Sequence, residues 1–123
     1  RVLFRSIYRE QSLLVQELAE KSDCVIVGRS ADYILRDKKP LRLFIYADME
    51  SRMERCRKRA PEQEHFTDKE LRRHIQDVDK RRSKYYQFFT GQTWGEKLNY
   101  DLCINTSGAN IEDLVKVIAK LVK

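Results

Sequence analysis

The chain has 123 residues, one domain's worth of sequence, with 41% hydrophobic and 36% charged residues, a balance ordinary for a globular protein with a single modest core. No apolar run approaches bilayer-spanning length, and the first residues do not read as a secretory signal, so a cytoplasmic location is expected. The net charge is +6 and uneven: Arg52 to Lys84 hold 12 Lys/Arg against 7 Asp/Glu, which fits nucleic acid, an anionic surface or a phosphorylated small ligand without choosing among them.

In chain order, Ile7, Leu14 and Leu18 fall near helical spacing and predict an amphipathic helix over 7–21. Ser22-Asp23 breaks it. The apolar run Cys24 to Val27, closed by Gly28-Arg29, predicts a short strand covered on both faces. A brief helix is expected over Ala31–Leu35, then a polar stretch to Pro40. Leu41 to Ala47 predicts a second strand. From Asp48 the pattern turns helical to about Arg59, with Asp48 or Ser51 as cap, and Ala60 to Phe66 reads as a connector.

Thr67-Asp68-Lys69-Glu70 fits a capping box opening a helix to about Phe88, with Leu71, Ile75, Val78 and Arg82 on one face. Thr90 to Asn99 reads as loop. Tyr100 to Asn105 predicts a third buried strand. Asn110 caps a last helix whose apolar face includes Ile111, Leu114, Val115, Ile118, Leu121 and Val122. Helices alternating with short apolar strands argue for an α/β fold with a parallel sheet. Cys24, Cys56 and Cys103 match no disulfide framework or metal spacing. Cys24 and Cys103 are expected to be buried small hydrophobes in their strands.

Several segments, in this order, resemble the cytidylate kinase-like family of nucleoside monophosphate kinases. Val27-Gly28-Arg29 ends a strand as that family's Gly-Arg motif does. Phe44-Ile45-Tyr46-Ala47, running on through Arg52 and Arg55, resembles the strand and arginine-bearing helix leading to a mobile lid. Val78-Asp79-Lys80-Arg81-Arg82 through Tyr85-Tyr86, then Thr90-Gly91 and Trp94-Gly95, resembles the bacterial branch. Asp101 to Thr106 and the helix after it resemble the final strand and helix. The similarity covers about residues 7–123.

The resemblance implies a P-loop NTPase-type parallel sheet flanked by helices, missing the N-terminal P-loop strand. No GxxxxGK[ST] occurs, and the four glycines are Gly28, Gly91, Gly95 and Gly108. Such a loop cradles the ATP phosphates and positions Mg²⁺. Full-length relatives carry it before the point matching Ile7. Arg1–Ser6 matches a translated sequencing-adapter tail. These six residues are expected to be non-native, and 7–123 to be the C-terminal part of one kinase domain with its lid at about 57–84. The fragment alone is expected to be inactive and marginally stable.

The resemblance also implies roles. Arg29 would hold the α-phosphate of the acceptor, CMP or dCMP, with Asp32 contacting the acceptor or orienting Arg29. Arg52 would stack on the ATP adenine, with Arg55 one turn further on the same face and Asn105 and Thr106 near that base. Arg81 and Arg82 would reach the transferred phosphoryl group from the lid, with Asp79 orienting Arg82 as its i,i+3 neighbour. ATP and Mg²⁺ are the expected cofactors, held mainly outside this sequence. Each arginine also has a plain reading as a solvated surface cation. Tyr85, Tyr86, Phe88, Phe89 and Trp94 are expected to pack the lid helix, and His65 and His74 to face solvent. Neither nucleic acid nor a membrane is expected as partner. The competing readings are another P-loop small-molecule kinase, a basic nucleic-acid-binding module and a regulatory module.

Overall fold

The computed structural model describes residues 2–60 and 65–122. Residues 61–64, in the middle of the expected connector, lie outside them. The chain divides into two compact units, Arg1–Pro40 and Leu41–Lys123.

The first unit opens with α1, Val2–Lys21. The helix begins five residues before the expected start, so residues 2–6 of the stretch expected to be non-native are part of it. Val15 is buried at its inner face and packs with Ala31 and Leu35; Ala19, Ile26 and Ile34 join them half-buried. Ala31–Ile34 form the one-turn helix α2, as expected, and a 3₁₀ turn follows at Arg36–Lys38.

The expected strand at Cys24–Val27 does not form. The segment is non-regular and, Ile26 apart, solvent-exposed, with Val25 93% and Val27 86% accessible and Cys24 exposed. A strand is a pairing, and among the described residues nothing makes a ladder with this one. Its apolar composition specifies a buried site but cannot supply the neighbour.

The second unit holds β1 (Leu43–Tyr46), α3 (Met49–Arg59), α4 (Asp68–Thr90), β2 (Leu102–Asn105) and α5 (Ile111–Ala119). The two strands pair in parallel, Leu43 opposite Leu102 and Tyr46 opposite Asn105. Parallel neighbours need a helical crossover, which α3 and α4 supply. The strands are shorter than their apolar runs. Cys103 is exposed and β2 carries little burial, against expectation, because two four-residue strands make too narrow a sheet to be covered on both faces.

Local signals set the helix ends. The Asp48 carboxylate accepts the Ser51 N–H at the start of α3. At α4 the box is closed in both directions, Glu70 N–H to Thr67 Oγ1 at 3.1 Å and Thr67 N–H to Glu70 Oε1 at 3.0 Å. Gly91, in the left-handed region, ends α4. Thr67→Ala is expected to remove about 1 kcal/mol of stability, read as a melting temperature lower by roughly 5 °C.

The core of this unit lies between α3 and α4, where Met53, Leu71 and Ile75 are buried and Met49, Cys56 and Phe66 are partly so. His74 is half-buried with its ring 5.6 Å from that of Phe66, which corrects the expectation that it faces solvent; His65 is exposed. A second apolar centre forms where Phe44 of β1 meets Trp94 at 5.3 Å and Tyr100 at 4.9 Å. Gly95 is required there: its φ is +84° and an added Cβ would lie 3.2 Å from the Phe44 ring. The expected packing of the lid helix holds for Tyr86, which is buried, and for Tyr85 and Phe89 at 4.8 Å; Trp94 packs instead on Phe44 of β1, and Phe88 is exposed. The apolar residues of α5 are largely uncovered, with Val115 and Val117 more than half exposed, and the helix ends before Leu121 and Val122, which were expected on its apolar face.

Candidate functional site

The residues singled out in the sequence fall into two groups, one inside each unit. In the first, Gly28, Arg29 and Ser30 have φ of 69°, 59° and 54°. Glycine accepts this left-handed conformation freely. For Arg29 and Ser30 it costs on the order of 1 kcal/mol each, and such runs persist only where surrounding bonds hold them. The Ala31 N–H bonds to the Gly28 carbonyl, and the Tyr33 and Ile34 N–H groups bond to that of Ser30. Ser30 is buried, and its Oγ has no partner among the described residues.

Arg29 is exposed, yet it is held. Its Nη1 donates to Gln11 Oε1 at 3.2 Å, and Gln11 Nε2 donates back to the Arg29 carbonyl at 3.3 Å. Asp32, expected to contact the acceptor or to orient this arginine, lies in the first turn of α2; Gln11 is a hydrogen-bond partner of the Arg29 guanidinium. Sequence reasoning missed Gln11. The available signal was a polar residue at position 11 in the stripe of Ile7, Leu14, Val15 and Leu18. A cavity of about 380 Å³ lies between α1 and the 25–27 segment, apolar except at Gln11 and Arg29.

The second group is built on the carboxyl ends of the parallel strands. Thr106 directly follows β2, and its N–H and Oγ1 both donate to the Tyr46 carbonyl at the end of β1. Arg55, midway along α3, reaches this same edge. Its Nη1 bonds to Thr106 Oγ1 at 2.8 Å and its Nη2 to the Thr106 carbonyl. Asn105 Oδ1 accepts the Ser107 N–H, and Ser107 Oγ accepts the Asp48 N–H at 2.7 Å. The expected companions Arg55, Asn105 and Thr106 therefore do share one place, with Thr106 buried at 3% exposure.

Arg52 sits on α3 with its guanidinium fork against Asp79 of α4, Nη1 to Oδ2 at 2.7 Å and Nη2 to Oδ1 at 2.8 Å. The expected Asp79–Arg82 pairing is thereby corrected. A carboxylate receives a bidentate guanidinium through both oxygens in one plane, and the geometry across α3 and α4 provides it where i,i+3 neighbours on one helix do not. The pair is about 30% exposed on each side. It holds the Arg52 pKa above its already high value, chiefly through the Asp79 hydrogen bonds. Arg81 and Arg82 are exposed on α4, without an ion pair among the described residues. Arg57 is also fixed, to the Phe66 carbonyl and to Asp68. Among the described residues no three His, Cys, Asp or Glu gather as a metal site.

At the opposite end of the sheet, Asp101 accepts the Arg42 backbone N–H at 2.7 Å and two bonds from the Arg42 guanidinium. Arg42's hydrogen bonds hold the Asp101 pKa below the ordinary carboxylate range. Asp48 and Glu70 are lowered too, first by the Ser51 and Thr67 N–H groups respectively. All three are depressed in the folded state, so their contribution is present above the unfolded carboxylate pKa and is lost as pH falls through the folded values. The melting temperature is expected to hold above about pH 5 and to drop below about pH 4. Asp101→Asn should flatten part of that acid limb in a melting series from pH 2 to 7.

The cytidylate kinase-like family model matches residues 3–108 of the chain. The chain belongs to the cytidylate kinase-like family. It is also similar to the crystal structure of an uncharacterized protein from Eubacterium ventriosum ATCC 27560, with 28% identity and a TM-score of 0.84 over 94% of this chain. The chain spans 64% of the length of that structure. No curated protein matches it. The structure is a mixed helix–strand fold with a small parallel two-strand sheet, consistent with an α/β fold. Among the described residues no helix is long and apolar enough to cross a membrane.

Proposed function

We propose that these residues form the C-terminal part of a P-loop nucleoside monophosphate kinase domain that moves the ATP γ-phosphoryl group to CMP or dCMP. An oxygen of the acceptor's phosphate attacks the γ-phosphorus, the bond to the β–γ bridging oxygen breaks, and ADP leaves. Such a transfer needs positioning and charge neutralisation more than covalent chemistry. The observation that carries the reading is the edge built by Arg55, Thr106 and the start of α3. Ligands of open parallel α/β sheets bind outside the carboxyl ends of the strands, and Arg55 of α3 is fixed at that edge.

Within this reading Arg52 faces the adenine. Its bonds to Asp79 lie in the guanidinium plane and leave the flat faces for stacking. Asp79 acts through Arg52, as a positioning residue. Arg55 ties α3 to the loop after β2, where Asn105 and Thr106 border the base. Arg81 and Arg82, exposed on α4, supply charge to the phosphoryl group in flight. Arg29 takes the α-phosphate of the acceptor, and Asp32 contacts the acceptor. A phosphate loop in the rest of the domain binds the ATP phosphates. Mg²⁺ bound with the ATP phosphates would neutralise part of their charge.

The test is turnover by the full-length gene product with ATP and a panel of CMP, dCMP, UMP, AMP and GMP. ADP and the acceptor diphosphate are expected in equal amounts, fastest with CMP or dCMP. Transfer to none of the five would overturn the reading.

A further inference from the structure

We infer that Gln11 is a positioning residue for the acceptor phosphate, acting through Arg29 by holding it with an uncharged partner. The inference rests on the acceptor role proposed for Arg29. One amide grips that residue twice, donating to its carbonyl and accepting from its guanidinium. The two bonds fix both the strained backbone, φ 59°, and the side-chain direction. They come from α1, which is anchored by the buried Val15 one turn on.

The chemistry of the partner matters as much as its position. Arg42, Arg52 and Arg57 are each paired with a carboxylate. Those pairs neutralise the cation. An amide oxygen orients a guanidinium while leaving its full charge, and the guanidinium keeps further N–H donors for a phosphate dianion. A carboxylate at position 11 would hold Arg29 more strongly yet compete with the phosphate. Gln11 and Arg29 are also the two polar members of an otherwise apolar cavity. The bland alternative is that Gln11 merely ties α1 to the turn.

Gln11→Glu separates the two. The experiment measures KM for CMP, KM for ATP, kcat and melting temperature for the full-length gene product and its Gln11→Ala, Gln11→Glu and Arg29→Ala variants. Loss of one hydrogen bond to a charged group predicts a KM for CMP about tenfold higher in Gln11→Ala, with KM for ATP and kcat within about twofold. Gln11→Glu is expected to raise KM for CMP at least as much while keeping or raising the melting temperature. A wild-type KM for CMP in Gln11→Glu would overturn the inference, since a tie alone survives that change. A rise in both KM values together with a fall in kcat and melting temperature in Gln11→Ala would overturn it as well. If Arg29→Ala raises KM for CMP and neither Gln11 variant does, the inference fails and the acceptor role of Arg29 stands. If Arg29→Ala leaves KM for CMP unchanged, that role fails and takes the inference with it.

Discussion

Leu71→Ala is expected to destabilise the protein by about 2–5 kcal/mol, the range for truncating a leucine in a packed core. Among the described residues Leu71 is the most buried large side chain, with 0% exposure, and it sits where α4 meets Met53 on α3. The helices cannot close over the space without shifting their charged partners, Arg52 on one and Asp79 on the other. At roughly 4–8 °C per kcal/mol for a unit of this size, the melting temperature should fall by more than about 10 °C. Leu71→Met nearly conserves volume and should cost less than about 1.5 kcal/mol. Thermal melts followed by circular dichroism decide the matter. A Leu71→Ala melt within about 3 °C of wild type would mean that the α3–α4 contact does not carry the core.

The second large effect is the coupling between Arg52 and Asp79. Removing either partner leaves a partly desolvated charge against the other helix, while removing both leaves none. Hydrogen bonds to charged groups contribute about 1.5–3 kcal/mol, so Arg52→Ala, Asp79→Ala and the double variant should show a coupling energy in that range. Exposure of about 30% on each side argues for the lower half. Chemical denaturation of the four proteins measures it. Additive losses would show that the pair is an incidental surface contact. The cycle also separates the structural share of Arg52 from its share in turnover, because Arg52→Ala should lower kcat/KM further than Asp79→Ala does.

What was legible in the sequence was local. Thr67 and Glu70 lie three residues apart, and their reciprocal bonds need nothing from the rest of the chain. The same holds for the Asp48 and Asn110 caps. The order of strands and helices after Pro40 was readable from apolar periodicity, and the arginine-bearing helix from resemblance. Non-local geometry was not readable. Asp79 has Arg82 beside it in sequence but Arg52 opposite it in space, and only the crossing of α3 and α4 reveals the choice. Cys24 to Val27 has the composition of a buried strand, yet pairing depends on a neighbour that composition does not contain. Gln11 was hidden for a third reason. An amide in an amphipathic helix looks like solvated surface until the turn it holds is in view.

The proposed function divides the labour: Arg29 would serve the phosphate acceptor and Arg52 would serve ATP. The most direct measurement is KM for CMP and KM for ATP, side by side, in Arg29→Ala and Arg52→Ala forms of the full-length gene product. Loss of a charge-assisted contact predicts a rise of roughly 10- to 100-fold in one constant only. KM for CMP should rise in Arg29→Ala with KM for ATP within about twofold, and the reverse should hold in Arg52→Ala. Both constants moving together in both variants, or neither moving, would contradict it.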